Sequence, residues 1–196
     1  MNLDQLKHCV SIDVETTGLD PIANGILSIG AANFTDHRTF YSENYLHRFC
    51  EIDDYALKVN GEIREELEAR NEKLLDSELE SLDKLIDYCN KGDHFVIIGK
   101  NPRFDYDFLL NIWLRSGRDR RHFPFTYRVI NWADMVILLM LANGDTVPKN
   151  GLSSDDISTF LGVEEEAKPH QALNGAIHNK KCVEILIKKI KDRLKI

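Results

Sequence analysis

Val10, Ile12 and Val14 alternate with Cys9, Ser11 and Asp13, and the segment runs into the turn-forming stretch "TTGLDP". Side chains on a strand point to opposite faces with a period of two, so this pattern predicts a strand with one buried apolar face. The same geometry puts Asp13 and Glu15 on one face of a sheet, at the strand's C-terminal end, where open α/β sheets place their ligands. Neighbouring carboxylates repel, and each raises the pKa of the other unless a cation intervenes. A hard divalent ion such as Mg²⁺ or Mn²⁺ does so with oxygen ligands and retained waters. A pair of surface acids closing a strand end is the plainer alternative.

The rest of the chain supplies the sheet to which such a strand must belong. "GILSIGAANF" and "TFYSENYLHRFC", joined by a short polar link around Asp36, predict a hairpin. "DYALKVNG" and the acidic segment to Asn90 read as helices, with Val59, Ile63 and Leu67, then Leu75, Leu79, Leu82, Leu85 and Ile86, at helical spacing. "HFVIIG", between Gly92 and Gly99, predicts a buried parallel strand. "FDYDFLLNIWLRSG" fits a helix closed by Gly117, "YRVINWADM" a strand, and "MVILLMLA" the start of a buried helix. "GLSSDDISTFLG" and the stretch from Pro169 to Leu194 complete a helix-rich end. Three early strands, then strands alternating with helices, give an α/β class: a mixed central sheet of about five strands, the first three largely antiparallel, flanked by helices. No repeat or linker divides the 196 residues, so residues 1–196 are expected to form one domain.

Composition excludes several classes. The longest apolar run, Met135 to Ala142, is far short of the ~20 residues of a membrane-spanning helix. "MNLDQLKHCV" carries acid and base with no long apolar stretch, unlike a secretory signal. Cys9, Cys50, Cys89 and Cys182 are scattered without a C-x-x-C pair, which argues against a zinc knuckle or disulfide framework and leads to the expectation of a cytoplasmic protein. The net charge of −7, from 25 Lys+Arg against 32 Asp+Glu, argues against affinity by blanketing phosphates, so any nucleic-acid contact should be short and metal-assisted. Basic runs at Arg115 to Arg128 and Lys180 to Ile196 are either solvated helix faces or a backbone-contacting rim.

Two further segments carry chemistry. In "IIGKNPRFDYDFLL", Asn101-Pro102 breaks the chain after the second buried strand and places Asp105 in the first turn of the next helix, where the helix dipole also favours an acid. Asp107, two residues on, points to another face. In "AKPHQALNGAIHNK", His170 falls at a helix start or on the loop before it, following Pro169.

Together these segments resemble the DEDDh branch of the DnaQ-like 3′–5′ exonucleases, which have a ribonuclease H-like fold. "SIDVETTGL" resembles the family's first motif through Asp13 and Glu15, and "GKNPRFDYDFL" the second through Asn101, Phe104 and Asp105. "WADM" stands at the accessory strand-end aspartate, here Asp134, and "PHQALNGA" is similar to the third motif through His170. The resemblance, from about Cys9 to Leu186, implies metal-dependent removal of nucleoside monophosphates from 3′ ends of single-stranded DNA or RNA. It implies two Mg²⁺ or Mn²⁺ ions on Asp13, Glu15 and Asp105, and His170 as general base. It further implies a grip on the terminal nucleotide by Thr16, Thr17, Asn101 and Leu19, the last as a wedge against a base. Phe104 is expected in the core, and Lys100 and Arg103 are candidate phosphate contacts.

One position departs from the pattern. The family has an aspartate five residues after the histidine, and Gly175 stands there in this chain. Three ligand acids give a charge of −3 against +4 from two divalent ions, so weaker binding of one ion and slow turnover are expected. Close helix packing is the benign account of the glycine. A catalytically silent nucleic-acid- or partner-binding module, or a polymerase proofreading subunit, are the alternative functions.

Overall fold

The computed structural model describes residues 6–47, 49–69, 75–89, 94–147, 153–166 and 169–195. A five-stranded sheet has the order β3-β2-β1-β4-β5. β1 (Cys9–Thr16) pairs antiparallel with β2 (Ile26–Asn33), and β2 antiparallel with β3 (Thr39–Glu43). On the other side β1 pairs parallel with β4 (Val96–Gly99), and β4 parallel with β5 (Ile130–Asn131). This is the mixed sheet with three antiparallel leading strands that the sequence predicts. Every residue of β2 is buried, because helices cover both faces.

The alternation in β1 divides the molecule into two cores. Val10, Ile12 and Val14 pack with Leu82 and Leu85 of α3 (Glu78–Tyr88) and with Leu109 and Ile112 of α4 (Pro102–Arg115). A second cluster joins Trp132 and Val136 of α5 (Trp132–Asn143), Ile157 of α6 (Ser154–Leu161) and Cys182, Val183 and Leu186 of α7 (Ala172–Leu194). The short helices α1 (Asp54–Asn60) and α2 (Arg64–Glu68) follow the hairpin, and Leu57 and Leu67 pack with Leu27.

α7 sits directly on the sheet. The Ser11 hydroxyl donates to the Ala176 carbonyl at 2.8 Å, so the face of β1 that carries Ser11, Asp13 and Glu15 is the face α7 covers. Gly30 is the register partner of Asp13, and a Cβ there would overlap the backbone carbonyl of Ala172. Glycine is therefore required for the helix to approach this closely. Gly30→Ala is expected to lift α7 from the sheet and cost about 2 kcal/mol, the middle of the range for overpacking, read as a lower midpoint in chemical denaturation.

The structure departs from the sequence reading in four places. β3 ends at Glu43, so only the first part of "TFYSENYLHRFC" is strand. "YRVINWADM" yields a strand of two residues, because the Asn131 side chain accepts from the Ala133 amide and starts α5 at Trp132. Asp134 consequently lies exposed in the first turn of α5 and does not end a strand. α5 is only half buried, with Leu138 65% and Leu141 56% exposed. Of the two placements read for His170, the loop is the one observed, since α7 starts after Gln171. The helical readings over 70–74 and 90, the boundary at Gly92, and Gly151 and Leu152 of the α6 segment lie outside the described residues.

Candidate active site

Asp13, Glu15, Asp105 and His170 line one cavity of about 250 Å³, at the end of the sheet where β1 and β4 finish in parallel. Three separated segments build it. β1 presents Asp13 and Glu15 two residues apart, and the β4–α4 connection presents Asp105. That connection turns at Asn101, whose φ of 53° is left-handed, and Pro102 then opens the helix. Asp105 is 4% exposed, and its Oδ1 accepts from the Val14 amide at 2.9 Å, which fixes α4 against the middle strand. The capping alternative for Asp105 thus gives way to a cross-link between the two acid-bearing elements.

Burial and like charge set the electrostatics. Asp13 is held well above the usual carboxylate range by burial, then by the charges of Asp105, Glu15 and Glu166. Glu15 is pushed up to about 7, chiefly by burial, with His170 opposing and Glu166 and Glu62 adding to the rise. Burial likewise raises Asp105 to about 7, although the hydrogen bond from Val14 favours its charged form. Such raised values concentrated in one cleft make it a candidate functional centre. Lys100 lines the cavity, and burial lowers its pKa. Among the described residues no three acid, histidine or cysteine side chains are gathered closely enough to form a metal cage; charges of one sign stand apart. The donor set nevertheless fits hard divalent ions, being oxygen-only, acidic and largely buried.

Gly175 now has a packing reason. A Cβ built there would lie 2.7 Å from Asp13 Cγ, so the glycine opens the space into which the Asp13 carboxylate leans. This is the close-packing account of the substitution.

The turn after β1 separates its residues by role. Thr17 is fully buried; its hydroxyl donates to the Glu51 carbonyl at 2.6 Å and accepts from the Gly25 amide at 2.9 Å, so the side chain holds the turn. The Thr16 hydroxyl donates to the Gly18 carbonyl at 2.7 Å. Leu19 is 80% exposed, so it does not pack into the turn. It borders a second cavity of about 280 Å³ with Tyr55, Val59 and Phe104, continuous with the acidic one through Val14, Glu15, Val59 and Phe104. Phe104 therefore both packs on the core and lines the cleft.

Asn101 is exposed at the cleft edge. Arg103 pairs with Asp107 at 2.9 Å. In the first basic run Arg115 pairs with Glu78, Arg118 with Asp83 and Arg121 with Asp119, so those arginines are balanced by acids. In the second, Lys180 and Lys181 lie within 4.0 Å of Glu184 and Glu164.

Sequence reasoning missed Glu166, His178, Trp132 and Asn179, all of which line the acidic cavity. His178 is a structural histidine: its Nε2 lies 3.1 Å from Ser158 Oγ, and burial lowers its pKa. Trp132 is 1% exposed and donates its indole N–H to Asn179 Oδ1 at 2.9 Å, tying α5 to α7. Glu166 gave no signal because it ends the run Glu164 to Glu166, which reads as a solvated acidic stretch.

The sequence profile of the 3′–5′ exoribonuclease Rv2179c-like domain matches residues 8–187. No curated protein sequence matches the chain. Among solved structures it is similar to cell-death related nuclease 4 (CRN-4), with a TM-score of 0.70 and 10% identity over 92% of this chain and 64% of that one. It is similar to the nuclease domain of 3′hExo, a DEDDh family member bound to rAMP, with a TM-score of 0.65 and 16% identity over 94% and 92%. It is also similar to E. coli exonuclease I in complex with a dT13 oligonucleotide, with a TM-score of 0.72 and 16% identity over 95% of this chain and 42% of that one. At these identities the likeness is one of fold. No helix among the described residues is long and apolar enough to cross a membrane.

Proposed function

The chain belongs to the Rv2179c-like 3′–5′ exoribonuclease family, and on that premise we propose that it hydrolyses phosphodiester bonds from the 3′ end of single-stranded RNA, releasing nucleoside monophosphates. The observation that carries this reading is the meeting of Asp13, Glu15, Asp105 and His170, from three distant segments, around one cavity. Asp13, Glu15 and Asp105 would hold Mg²⁺ or Mn²⁺, which supplies neutralisation of phosphate charge and a lowered pKa for attacking water.

The chain's own residues do the rest. The apolar cavity beside Leu19, Tyr55, Val59 and Phe104 takes the terminal base, while the acidic cavity takes the phosphate. The Val14–Asp105 hydrogen bond and the filled cores beneath keep the acids in place before substrate arrives, so little reorganisation is left for the reaction itself. His170 stands on the loop before α7, with its Nδ1 3.2 Å from Glu166 Oε1. On the cavity wall, His170 takes the proton from the attacking water as general base.

Single-stranded RNA and DNA, labelled at the 5′ end and incubated with Mg²⁺ or Mn²⁺, test the proposal. A ladder shortening from the 3′ end is expected, faster on RNA. His170→Ala should slow it by about 10²–10⁴-fold with the affinity for strands little changed. If neither strand is shortened with either ion while binding persists, the chain is a silent nucleic-acid-binding module, the reading that Gly175 favours.

A further inference from the structure

Glu166 lies on the loop before His170 and lines the cavity with Asp13, Glu15 and Asp105. Its side chain is 14% exposed, and its Oε1 atom is buried with no hydrogen-bond partner. A buried carboxylate oxygen without a partner is costly, and a cation is the usual remedy. His170 Nδ1 lies 3.2 Å from Glu166 Oε1, a contact that makes an ion pair only with the ring protonated and lacks hydrogen-bond alignment; Lys100, on the same cavity wall, also feels the Glu166 charge. The sheet side of the cavity is already crowded. The Asp13 carboxylate leans into the space above Gly175, so α7 contributes no donor at that point.

The neighbouring acids feel Glu166, whose charge adds to the rise in pKa of both Asp13 and Glu15. Charge therefore gathers around one cleft from three segments, β1, α4 and the loop before α7. With Glu166 included the acids total −4, which balances two divalent ions. The shortfall expected from Gly175 disappears.

We propose that Glu166 is a further metal-ligating residue of this centre, supplying the fourth carboxylate from the loop ahead of His170. The inference rests on the proposed function, since it presumes that Asp13, Glu15 and Asp105 hold divalent ions.

Mn²⁺ alone, titrated into the full chain without nucleic acid and followed by the electron paramagnetic resonance of the free ion, separates the two. Wild type is expected to take up Mn²⁺. Glu166→Gln should weaken the second equivalent at least about tenfold, and Glu166→Asp should keep most of the affinity. Thermal melting in chelator should show both variants folded, with Glu166→Gln no less stable than wild type because one repelling charge is gone. Unchanged Mn²⁺ binding in Glu166→Gln, with hydrolysis slowed and its pH profile displaced, would overturn the proposal and make Glu166 a positioning residue for His170. If wild type and Asp13→Asn alike take up no Mn²⁺, both this proposal and the nuclease reading beneath it fail. Loss on Asp13→Asn alone sinks only the role of Glu166.

Discussion

Asp13→Asn is expected to lower 3′-end hydrolysis by roughly 10³-fold, and the same variant should melt no lower than wild type in the absence of divalent ions. The two outcomes share a cause. Asp13 is buried among Asp105, Glu15 and Glu166, and its carboxylate is held well above the normal range by burial and then by those charges. Asparagine keeps the shape that leans against Gly175, but removes one of four repelling charges. Folding loses a penalty, whereas catalysis loses a negative donor at the point where the proposed cations would gather. Single-turnover rates on labelled RNA and a melting curve in chelator read both quantities. Activity within about tenfold of wild type would mean that Asp13 is not at the reacting centre.

The second large effect couples acidity to cation binding. Glu15 and Asp105 have pKa values near 7 in the folded chain, and Asp13 is also raised, all mainly through burial. For an acid whose folded pKa is raised, stability is fully present below the ordinary value near ~4 and is lost as pH rises through the folded value. The melting temperature in chelator should therefore fall between about pH 5 and pH 8. Asp76 and Asp119, held low by Lys84 and Arg121, titrate below this window and do not blur it.

On the proposed function a divalent cation would bind the ionised acids, so it should reverse the loss where protons have left. At a free concentration 100 times its Kd, Mn²⁺ adds about 2.7 kcal/mol, or roughly 5–10 °C for a chain of this size at pH 8. At pH 5 it must displace protons and the gain should shrink to under about 2 °C. Hydrolysis should climb with pH over the same interval. A Mn²⁺-induced shift independent of pH would show that the raised acids are not the ligands.

Much of this was legible in the amino-acid order. The period-two run from Cys9 to Glu15 placed the first strand and the shared face of its acids, and Asn101-Pro102 placed Asp105 in a first helical turn. These are local effects, governed by side-chain alternation and by what proline and a left-handed residue do to a backbone. Other features were hidden because they depend on contacts far along the chain. The Asn131 cap is an exception, a local signal inside "YRVINWADM" that ends the strand after two residues where the strand reading runs on. The apolar run of α5 reads as buried, yet Leu138 and Leu141 face outward because α7 and α6 cover only part of it.

Gly175 shows the division most clearly. Its identity and its distance from His170 are written in the chain, and they imply a missing acid. Only the packing of α7 on β1, which Gly30 permits, shows that the Asp13 carboxylate takes up the room above Gly175 and that Glu166 lines the same cavity. The sequence determined which groups carry charge and which strand and helix start present them, since those follow from neighbours within a few residues. The tertiary structure decided which charges share one low-dielectric cleft, because burial and repulsion are set by elements that meet only after the chain has folded.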